Sequence, residues 1–303
     1  MTEKTVFLVN PASANGSTGR RWPELARRAA AVGLEGDAFI SERPGDLGRL
    51  ARDAVAGGAE LLVVVGGDGS VNEVANGLVA LDERPPLAIV PRGTGWDFVR
   101  TFGIQRNVEQ AARVALARNE REIDLGLVMY RAWAGDEVRA AFANVASAGM
   151  SGAIAARANE TMKALGGKAS YLWATFRVFA AWSPTAVRVT VDGERREGRM
   201  TDVVVANGRF FGGGMKICPE AEPDDGLLDV LTIGDVTKRD LVVTMPKIYR
   251  GTHLPHPKAE LLRGSAVTIE TDEPLPIQLD GEQPGTTPAR FQVLPRALRI
   301  RVP

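Results

Sequence analysis

The chain has little of what marks a secreted, disulfide-held or membrane-spanning protein. It contains one cysteine, Cys218, which excludes an internal disulfide and fits a reducing cytoplasm. No apolar run approaches the roughly 18 residues that a spanning helix needs, and the short run near the N-terminus is too short for a signal peptide. Lys plus Arg and Asp plus Glu both number 37, so no net positive charge points to nucleic acid.

In the first third of the chain, runs of β-branched residues alternate with segments whose apolar residues have the spacing of a helix. This alternation predicts an α/β domain with a doubly wound, mostly parallel sheet, in which ligands bind beyond the carboxyl ends of the strands. The predicted strands are 5–9, 36–40, 61–65 and 87–91, and the predicted helices are 19–32, 46–56 and 71–79.

Three polar loops follow predicted strands, at 10–19, 66–70 and 91–98, and all three are rich in Gly, Ser, Thr or Asn. Their shared position at strand ends predicts that they converge. In the second loop, "GGDGS", glycines let backbone N–H groups approach an anion at a helix N-terminus, most often a phosphate. A plain tight turn would also explain this loop, and a helix N-cap at Ser17 or Thr18 would explain the first.

Asp68 lies inside the glycine turn, where a carboxylate would repel a phosphate unless a cation stood between them. Asp97 and Asp124 follow later strands, and three carboxylates together would hold Mg²⁺ through water, because Mg²⁺ prefers oxygen ligands. The alternative for Asp97 is that it only caps a short helix. The pattern indicates metal-assisted phosphoryl transfer.

From about residue 132 to 288 the pattern changes to strands with hairpin signals, which predicts an antiparallel β domain. Residues 1–131 form the predicted first domain, and the tail 289–303 is expected to rejoin it. The tripeptide Asp-Gly-Glu occurs at 192–194 and 280–282; the first copy runs into a charged strand and is assigned to a hairpin turn. Asp225 fits a loop metal site or an ordinary β-turn about equally.

Taken together, these pieces resemble the diacylglycerol kinase catalytic family, which includes bacterial lipid kinases and sphingosine kinases. The resemblance covers nearly the whole chain, in a consistent order and spacing. The matching segments are "NPASANGSTG" (10–19), "GGDGSVNEVANGL" (66–78), "PRGTGWDFVRTFGI" (91–104), "DLG" (124–126), "FANVASAGMSG" (142–152), "KALGGKASYLW" (163–173), "VVVANGRFFGGGMKICPEAEPDDGLLDV" (203–230) and "QLDGE" (278–282).

The resemblance implies a nucleotide-binding α/β domain related to NAD kinase, a C-terminal β-sandwich, and transfer of a phosphoryl group from ATP to a lipid. It implies a role for each of several residues. The ATP-contacting positions are Asn10, Ser41, Gly66, Gly67, Asp68, Gly69, Ser70, Val71, Asn72 and Thr94. The resemblance implies that Asp68, Asp97 and Asp124 hold the catalytic magnesium. It implies that Glu282 is the general base, with Asp280 beside it. It also implies a structural magnesium at Glu222, Asp225 and Leu227.

One departure stands out: relatives commonly carry Asn before the third-loop Asp, and this chain has Trp96. Two rivals stay open, a kinase of a soluble acceptor such as NAD and a nucleotide-binding regulatory protein with weak activity. The expected partners are ATP and a membrane lipid, most simply diacylglycerol, met by peripheral contact at the inner face of the membrane. The aromatic segment 171–182, with Lys168 and Arg177, is the expected contact unless it is core. A homodimer is left open.

Overall fold

The structure is a computed structural model that describes residues 3–93, 95–165 and 177–303. The chain divides into two compact units, the first made of Met1–Leu125 with Pro295–Pro303 and the second of Gly126–Leu294. The boundary predicted from the sequence, after residue 131, lies six residues later. The dividing point falls inside strand Glu120–Ala132, which is continuous, so no local change in the sequence marks it. The last nine residues return to the first unit.

The first unit alternates strands and helices, as the sequence predicted. Its strands are β1 Thr5–Val9, β2 Asp37–Ile40, β3 Leu61–Gly66 and β4 Leu87–Pro91. Its helices are α1 Ser17–Ala30, α2 Asp46–Ala56, α3 Asp68–Leu78, α4 Asp97–Thr101 and α5 Val108–Leu116. The strands lie in the order β2-β1-β3-β4, and each neighbouring pair is parallel.

The β-branched and leucine-rich runs form strands that are buried on both faces. Every residue of β1, β3 and β4 is buried. Alternate residues such as Val63 and Val65 join one core cluster with Leu25 of α1 and Ala112 of α5. Helices α2 and α3 contact the same strands. A parallel sheet with both faces covered places its loops, rather than its strand faces, at the solvent.

The second unit is largely antiparallel. Its strands are β5 Glu120–Ala132, β6 Glu137–Phe142, β7 Val145–Gly149, β8 Thr185–Val191, β9 Glu194–Ala206, β10 Leu228–Gly234, β11 Ala259–Gly264, β12 Ala266–Thr271, β13 Pro276–Leu279 and β14 Glu282–Arg301, of which β5 and β14 also extend into the first unit. Helices α6 Met150–Leu165 and α7 Lys238–Arg250 interrupt it, and residues 177–181 are also helical.

Strand β9 shows how this unit builds its core. Val203 and Val205 belong to one apolar cluster, whereas Val204 and Ala206 belong to another that includes Ile248 of α7. Side chains alternate along a strand, so a continuous apolar run serves two cores at once. Among the described residues, none of the helices has the length and apolar character needed to cross a membrane.

Candidate active site

The glycine turn after β3 is shorter than predicted, because α3 begins at Asp68 rather than near Val71. Gly67 is extended, and Gly69 and Ser70 already lie in the first helical turn. An acidic residue in the first turn is favoured by the positive end of the helix dipole, which explains the early start. Asn10 at the end of β1 donates from Nδ2 to Ser70 Oγ at 2.9 Å, so the ends of two neighbouring parallel strands are tied together.

The third loop joins this pair. A Cβ on Gly93 would lie 2.8 Å from Gly67 Cα, so the loops after β3 and β4 touch backbone to backbone. Arg92 Nη2 donates to Ser17 Oγ at 3.2 Å, which links the loop after β4 to the start of α1. The structure therefore brings together the three polar loops that the sequence analysis singled out.

Other predicted nucleotide positions follow the same edge of the sheet. Ser41 is buried just after β2, and its N–H donates to the carbonyl of Val9 at 2.9 Å. Asn72 is half-buried on α3 and accepts a hydrogen bond from Asn76 at 3.1 Å. Gly66 and Val71 are buried on either side of the turn. Thr94 lies outside the described residues.

Asp68 turns its carboxylate toward the start of α4. Its Oδ2 accepts from the N–H of Asp97 at 3.1 Å, and its Oδ1 accepts from the N–H of Phe98 at 3.0 Å. The alternative that Asp97 caps this helix is therefore wrong: Trp96 is the N-cap residue, has no side-chain cap bond, and leaves the capping to Asp68. Desolvation by burial raises the pKa of the Asp68 carboxyl, and the backbone hydrogen bonds oppose it.

Asp68 and Asp97 face the same small space. A Cβ at Gly95 would lie 2.9 Å from Asp68 Oδ2 and 3.4 Å from Asp97 Oδ2, so only glycine leaves this space open between the two carboxylates. Two carboxylate oxygens in one small space are the hard oxygen donors that Mg²⁺ takes, and a cation would favour the charged form that burial disfavours. The residues present fit the predicted metal.

Asp124, the third predicted magnesium ligand, makes a structural contact with the returning tail. It is buried, and its Oδ1 accepts from the N–H of Arg296 at 2.7 Å, which fastens the returning tail. Within residues 3–93, 95–165 and 177–303, no group of three His, Cys, Asp or Glu side chains is close enough to hold a metal directly. A magnesium ion at Asp68 and Asp97 would accordingly keep most of its water ligands, as this ion usually does.

Trp96 occupies a strained position beside these carboxylates. Its φ is 51°, in the left-handed region that Asn tolerates better than most residues and that is uncommon for a bulky side chain. The guanidinium groups of Arg100 and Arg106 lie 4.3 and 4.4 Å from the centroid of its ring. Such cation–π contacts contribute about 0.5–2 kcal/mol each and hold the indole in place.

In the second unit, Asp280 and Glu282 lie on a tight hairpin between β13 and β14. Asp280 has φ 47° and accepts from three backbone N–H groups, those of Ala143 at 2.7 Å, Asn144 at 3.0 Å and Val145 at 2.9 Å. Its carboxylate thus fixes the turn that leads into β7. Glu282 is exposed at the end of the hairpin. The geometry shows Asp280 holding this turn in place, and the roles of Asp280 and Glu282 in catalysis stay predictions.

Buried amides behind this hairpin were missed by the sequence analysis. Asn144 donates from Nδ2 to the carbonyl of Phe210 at 2.7 Å, Asn207 donates to the carbonyl of Ala143 at 2.9 Å, and Gln278 accepts from the N–H of Gly281 at 2.8 Å. All three amides are at least 96% buried. A signal was present, because each is an amide inside a strongly apolar segment.

A positively charged side chain, that of Arg263, occupies the predicted structural magnesium site. Asp225 Oδ1 accepts from the N–H of Leu227 at 3.0 Å, and its Oδ2 is bound by the guanidinium of Arg263. The N–H of Asp225 donates to the carbonyl of Glu222 at 3.4 Å. A magnesium ion at Glu222, Asp225 and Leu227 would have to displace these contacts.

The same guanidinium also reaches a buried carboxyl, since Arg263 Nε lies 3.5 Å from Asp229 Oδ1. Burial raises the pKa of Asp229 to about 6, against the attraction of Arg263. Arg263 therefore neutralises two acidic side chains. The structural magnesium stays a prediction, and the ion would have to compete with Arg263 for Asp225.

Comparison with known proteins finds relatives over the full chain. Residues 4–128 match the model of the diacylglycerol kinase catalytic domain, and residues 144–302 match that of the YegS C-terminal NAD kinase beta sandwich-like domain. The chain is 33% identical to a protein of Pseudomonas aeruginosa strain UCBPP-PA14 named "Probable lipid kinase YegS-like", over 100% of this chain and 96% of the relative.

It is 26% identical to a diacylglycerol kinase of Staphylococcus carnosus strain TM300, with the same coverage. A solved diacylglycerol kinase from Bacillus anthracis strain Sterne shares the fold, with a TM-score of 0.73 and 23% identity over 99% of this chain and 97% of the other. The chain therefore belongs to the diacylglycerol kinase family, with its catalytic domain at residues 4–128 and its YegS-type C-terminal domain at 144–302.

Proposed function

We propose that this protein is an ATP- and Mg²⁺-dependent lipid kinase that transfers the γ-phosphoryl group to a lipid hydroxyl, most simply that of diacylglycerol, and so forms phosphatidic acid. The observation that carries the proposal is the placement of Asp68, a carboxylate inside a glycine turn at a helix N-terminus, facing a second carboxylate across Gly95. A phosphate-binding turn needs such acidic residues only when a cation accompanies the phosphates.

Each part of the reaction has residues to serve it. Backbone N–H groups of the turn and the start of α3 bind phosphate oxygens, with Asn10 and Ser70 closing the turn. Asp68 and Asp97 are the residues that would hold Mg²⁺, with Asp124 as the third ligand that the family resemblance implies, and the ion would neutralise charge on the transferring group. The Asp68 hydrogen bonds to the start of α4 keep its carboxylate in one orientation.

Glu282 is the proposed general base. The lipid oxygen forms a bond to the γ-phosphorus, the bond to the β-phosphate oxygen breaks, and ADP leaves. The hydroxyl proton passes to the Glu282 carboxylate. Asp280 holds the hairpin that presents Glu282. The fold assigned with this function is a doubly wound, NAD kinase-like sheet followed by a β-sandwich, supported by the parallel pairing of β1–β4 and the antiparallel pairing of the second unit.

The first test replaces Asp68. We expect Asp68→Ala to lower turnover at least ~10²-fold, on the scale for loss of a group that stabilises transition-state charge. Asp68→Asn, which is closer in shape, should lose a similar factor and stay folded, with a modestly lower melting temperature because its amide accepts only one of the two N–H groups that cap α4. The matched control is Asp82→Ala, because Asp82 is an exposed acid of the same unit.

The measurement uses radiolabelled ATP with diacylglycerol in mixed micelles, with and without Mg²⁺, and compares sphingosine and NAD as acceptors. Near-normal turnover of Asp68→Asn would remove Asp68 from the reaction. If NAD were phosphorylated and no lipid reacted, the proposal of a lipid acceptor would be wrong, whereas the proposal of a kinase would stand.

A further inference from the structure

Helix α7 carries an apolar surface that faces solvent. Val242, Val243 and Tyr249 are 64%, 57% and 50% exposed, and Pro246 between them is also exposed. Val242, Pro246 and Tyr249 follow one another at spacings of three or four residues and therefore share one side of the helix.

The opposite side of α7 anchors it. Ile248 is buried in the apolar cluster of β7, β9 and β10, and Met245 packs against that cluster. The helix begins with a capping box between Thr237 and Asp240 and ends at Gly251 in the left-handed conformation. It is thus fully formed and attached before any ligand arrives, so docking would cost little ordering entropy.

Basic residues surround the exposed apolar side chains at both ends of α7. They are Lys238, Arg239, Lys247 and Arg250, all exposed. The only acidic residue of the helix, Asp240, is engaged in the capping box. In the part of the chain that the structure describes, none of these four side chains forms an ion pair. The helix therefore presents an uncompensated positive surface around an apolar centre.

We propose that α7 docks this protein on an anionic lipid bilayer, with the valines and Tyr249 entering the headgroup region and the four basic residues contacting lipid phosphates. The inference rests on the proposed function, because a lipid kinase meets its acceptor at a membrane. The charge of the helix complements an anionic leaflet, and an interfacial helix combines an apolar face with Lys and Arg in this way. Tyr is favoured at the interface.

A bilayer suits this surface better than a protein partner does. The apolar side chains lie on a single helix, whereas a stable protein interface buries roughly 800 Å² on each partner and excludes most charge from its centre. Long basic side chains can bend toward headgroups while their stems cover apolar surface. The segment 171–182 was the expected contact; Lys168 and residues 171–176 lie outside the described residues, and Arg177 is exposed.

The test measures flotation with vesicles of equal parts phosphatidylglycerol and phosphatidylcholine, and with vesicles of phosphatidylcholine alone. Val242→Asp/Val243→Asp should lower the bound fraction at least about tenfold, because it removes apolar contact and adds negative charge. The matched control is Leu116→Asp/Val138→Asp, which adds the same charge at two other exposed apolar positions.

The electrostatic part is tested separately. Lys247→Gln/Arg250→Gln should weaken binding to the anionic vesicles about tenfold and leave binding to neutral vesicles unchanged, and high salt should mimic it. Arg52→Gln/Arg113→Gln removes two exposed charges elsewhere and should have no such specific effect. Val242→Trp should bind more tightly, with a blue shift of its fluorescence.

Each variant is also assayed with diacylglycerol in detergent micelles, which separates docking from chemistry. Wild-type turnover of Val242→Asp/Val243→Asp in micelles, with lost flotation, supports the docking surface. Undiminished flotation of both α7 variants overturns it and leaves the kinase function intact. A change in oligomeric state in the Asp variant, with flotation unchanged, would show that α7 binds a second copy of the chain and would also overturn the proposal.

Discussion

The hairpins at 191–194 and 279–282 carry the same tripeptide and have nearly the same backbone. Asp192 and Gly193 have φ of 44° and 90°, and Asp280 and Gly281 have φ of 47° and 92°. In each, the residue before Asp pairs with the Glu after Gly. Two positive φ values in a two-residue loop match the twist of the flanking strands. The tripeptide thus sets the turn in both places.

The surroundings of the two hairpins differ. The Asp192 carboxylate is exposed and holds Ser265 and Ala266, and Glu194 forms an ion pair with Arg196. The Asp280 carboxylate is half-buried and holds the 143–145 turn, which contains the buried Asn144. In both copies the Asp is a clamp. The two hairpins therefore differ in the surroundings of the Glu and in the turn that the Asp holds.

The largest expected difference concerns the two glutamates. Glu282→Gln should lower turnover on the lipid ~10²–10⁴-fold, the usual cost of losing a general base, while ATP binding is retained. Glu194→Gln should leave turnover unchanged, because it breaks only an exposed ion pair. Steady-state kinetics in micelles and ATP titration measure both. Equal losses from the two variants would mean that the proposed assignment of roles to these hairpins is wrong.

The two aspartates should differ in stability. Asp280→Ala leaves three backbone N–H groups of the 143–145 turn without their acceptor, and we expect a loss of about 3 kcal/mol in the free energy of unfolding. Asp192→Ala should lose under about 1 kcal/mol, because water replaces an exposed acceptor. Urea unfolding at pH 7 measures both, and a larger loss for Asp192→Ala would contradict the assigned burial.

Asp192 also has a pH signature. Hydrogen bonds from Ser265, chiefly its N–H, hold the pKa of Asp192 below its usual range. A lowered native-state pKa contributes stability that is present above the unfolded-state pKa and is lost as the pH falls through the native one. Asp192→Asn should therefore flatten part of the acid limb of the stability profile.

Ser265, which Asp192 holds, lies two residues after Arg263, and the predicted magnesium site around Arg263 can be tested by melting. If Arg263 is the cation of this site, wild-type melting should be the same in EDTA and in Mg²⁺. Arg263→Ala should lose about 2 kcal/mol, because Asp225 and the buried Asp229 lose their neutralising charge. Its melting should also become Mg²⁺-dependent.

Arg290→Ala, which removes another exposed arginine of the second unit, is the control for that variant. Mg²⁺-dependent melting of the wild type would instead support the structural magnesium at Glu222, Asp225 and Leu227.

Local patterns predicted the order of strands and helices, because β-branched runs and helical spacing act over a few residues. They also singled out the polar loops and Asp68, which follow strands directly. Contacts distant in sequence were not predictable. Nothing local indicates that Asp68 caps α4, or that Arg263 binds Asp225.

Asp202 shows the same limit for a titrating group. It lies in an ordinary strand sequence, yet burial raises its pKa to about 7, against hydrogen bonds from Ser151. Burial of this kind depends on packing, which no short pattern records.

The smallest expected effect comes from replacing the glycine of each hairpin, which tests whether the two turns have the same backbone strain. Gly193 and Gly281 have φ near 90°, and a Cβ at either position would meet nothing within 4 Å. Alanine should therefore cost only the backbone strain of a positive φ, about 1 kcal/mol in each hairpin and equal within a few tenths. The two variants should differ in turnover. Gly281→Ala changes the residue directly before the proposed base Glu282, whereas Gly193→Ala lies next to no residue with a proposed role in the reaction. Urea unfolding and micelle kinetics on the two variants give both comparisons. Unequal stability losses would show that the two turns differ in strain despite similar angles, and equal turnover would show that the orientation of Glu282 does not depend on this turn.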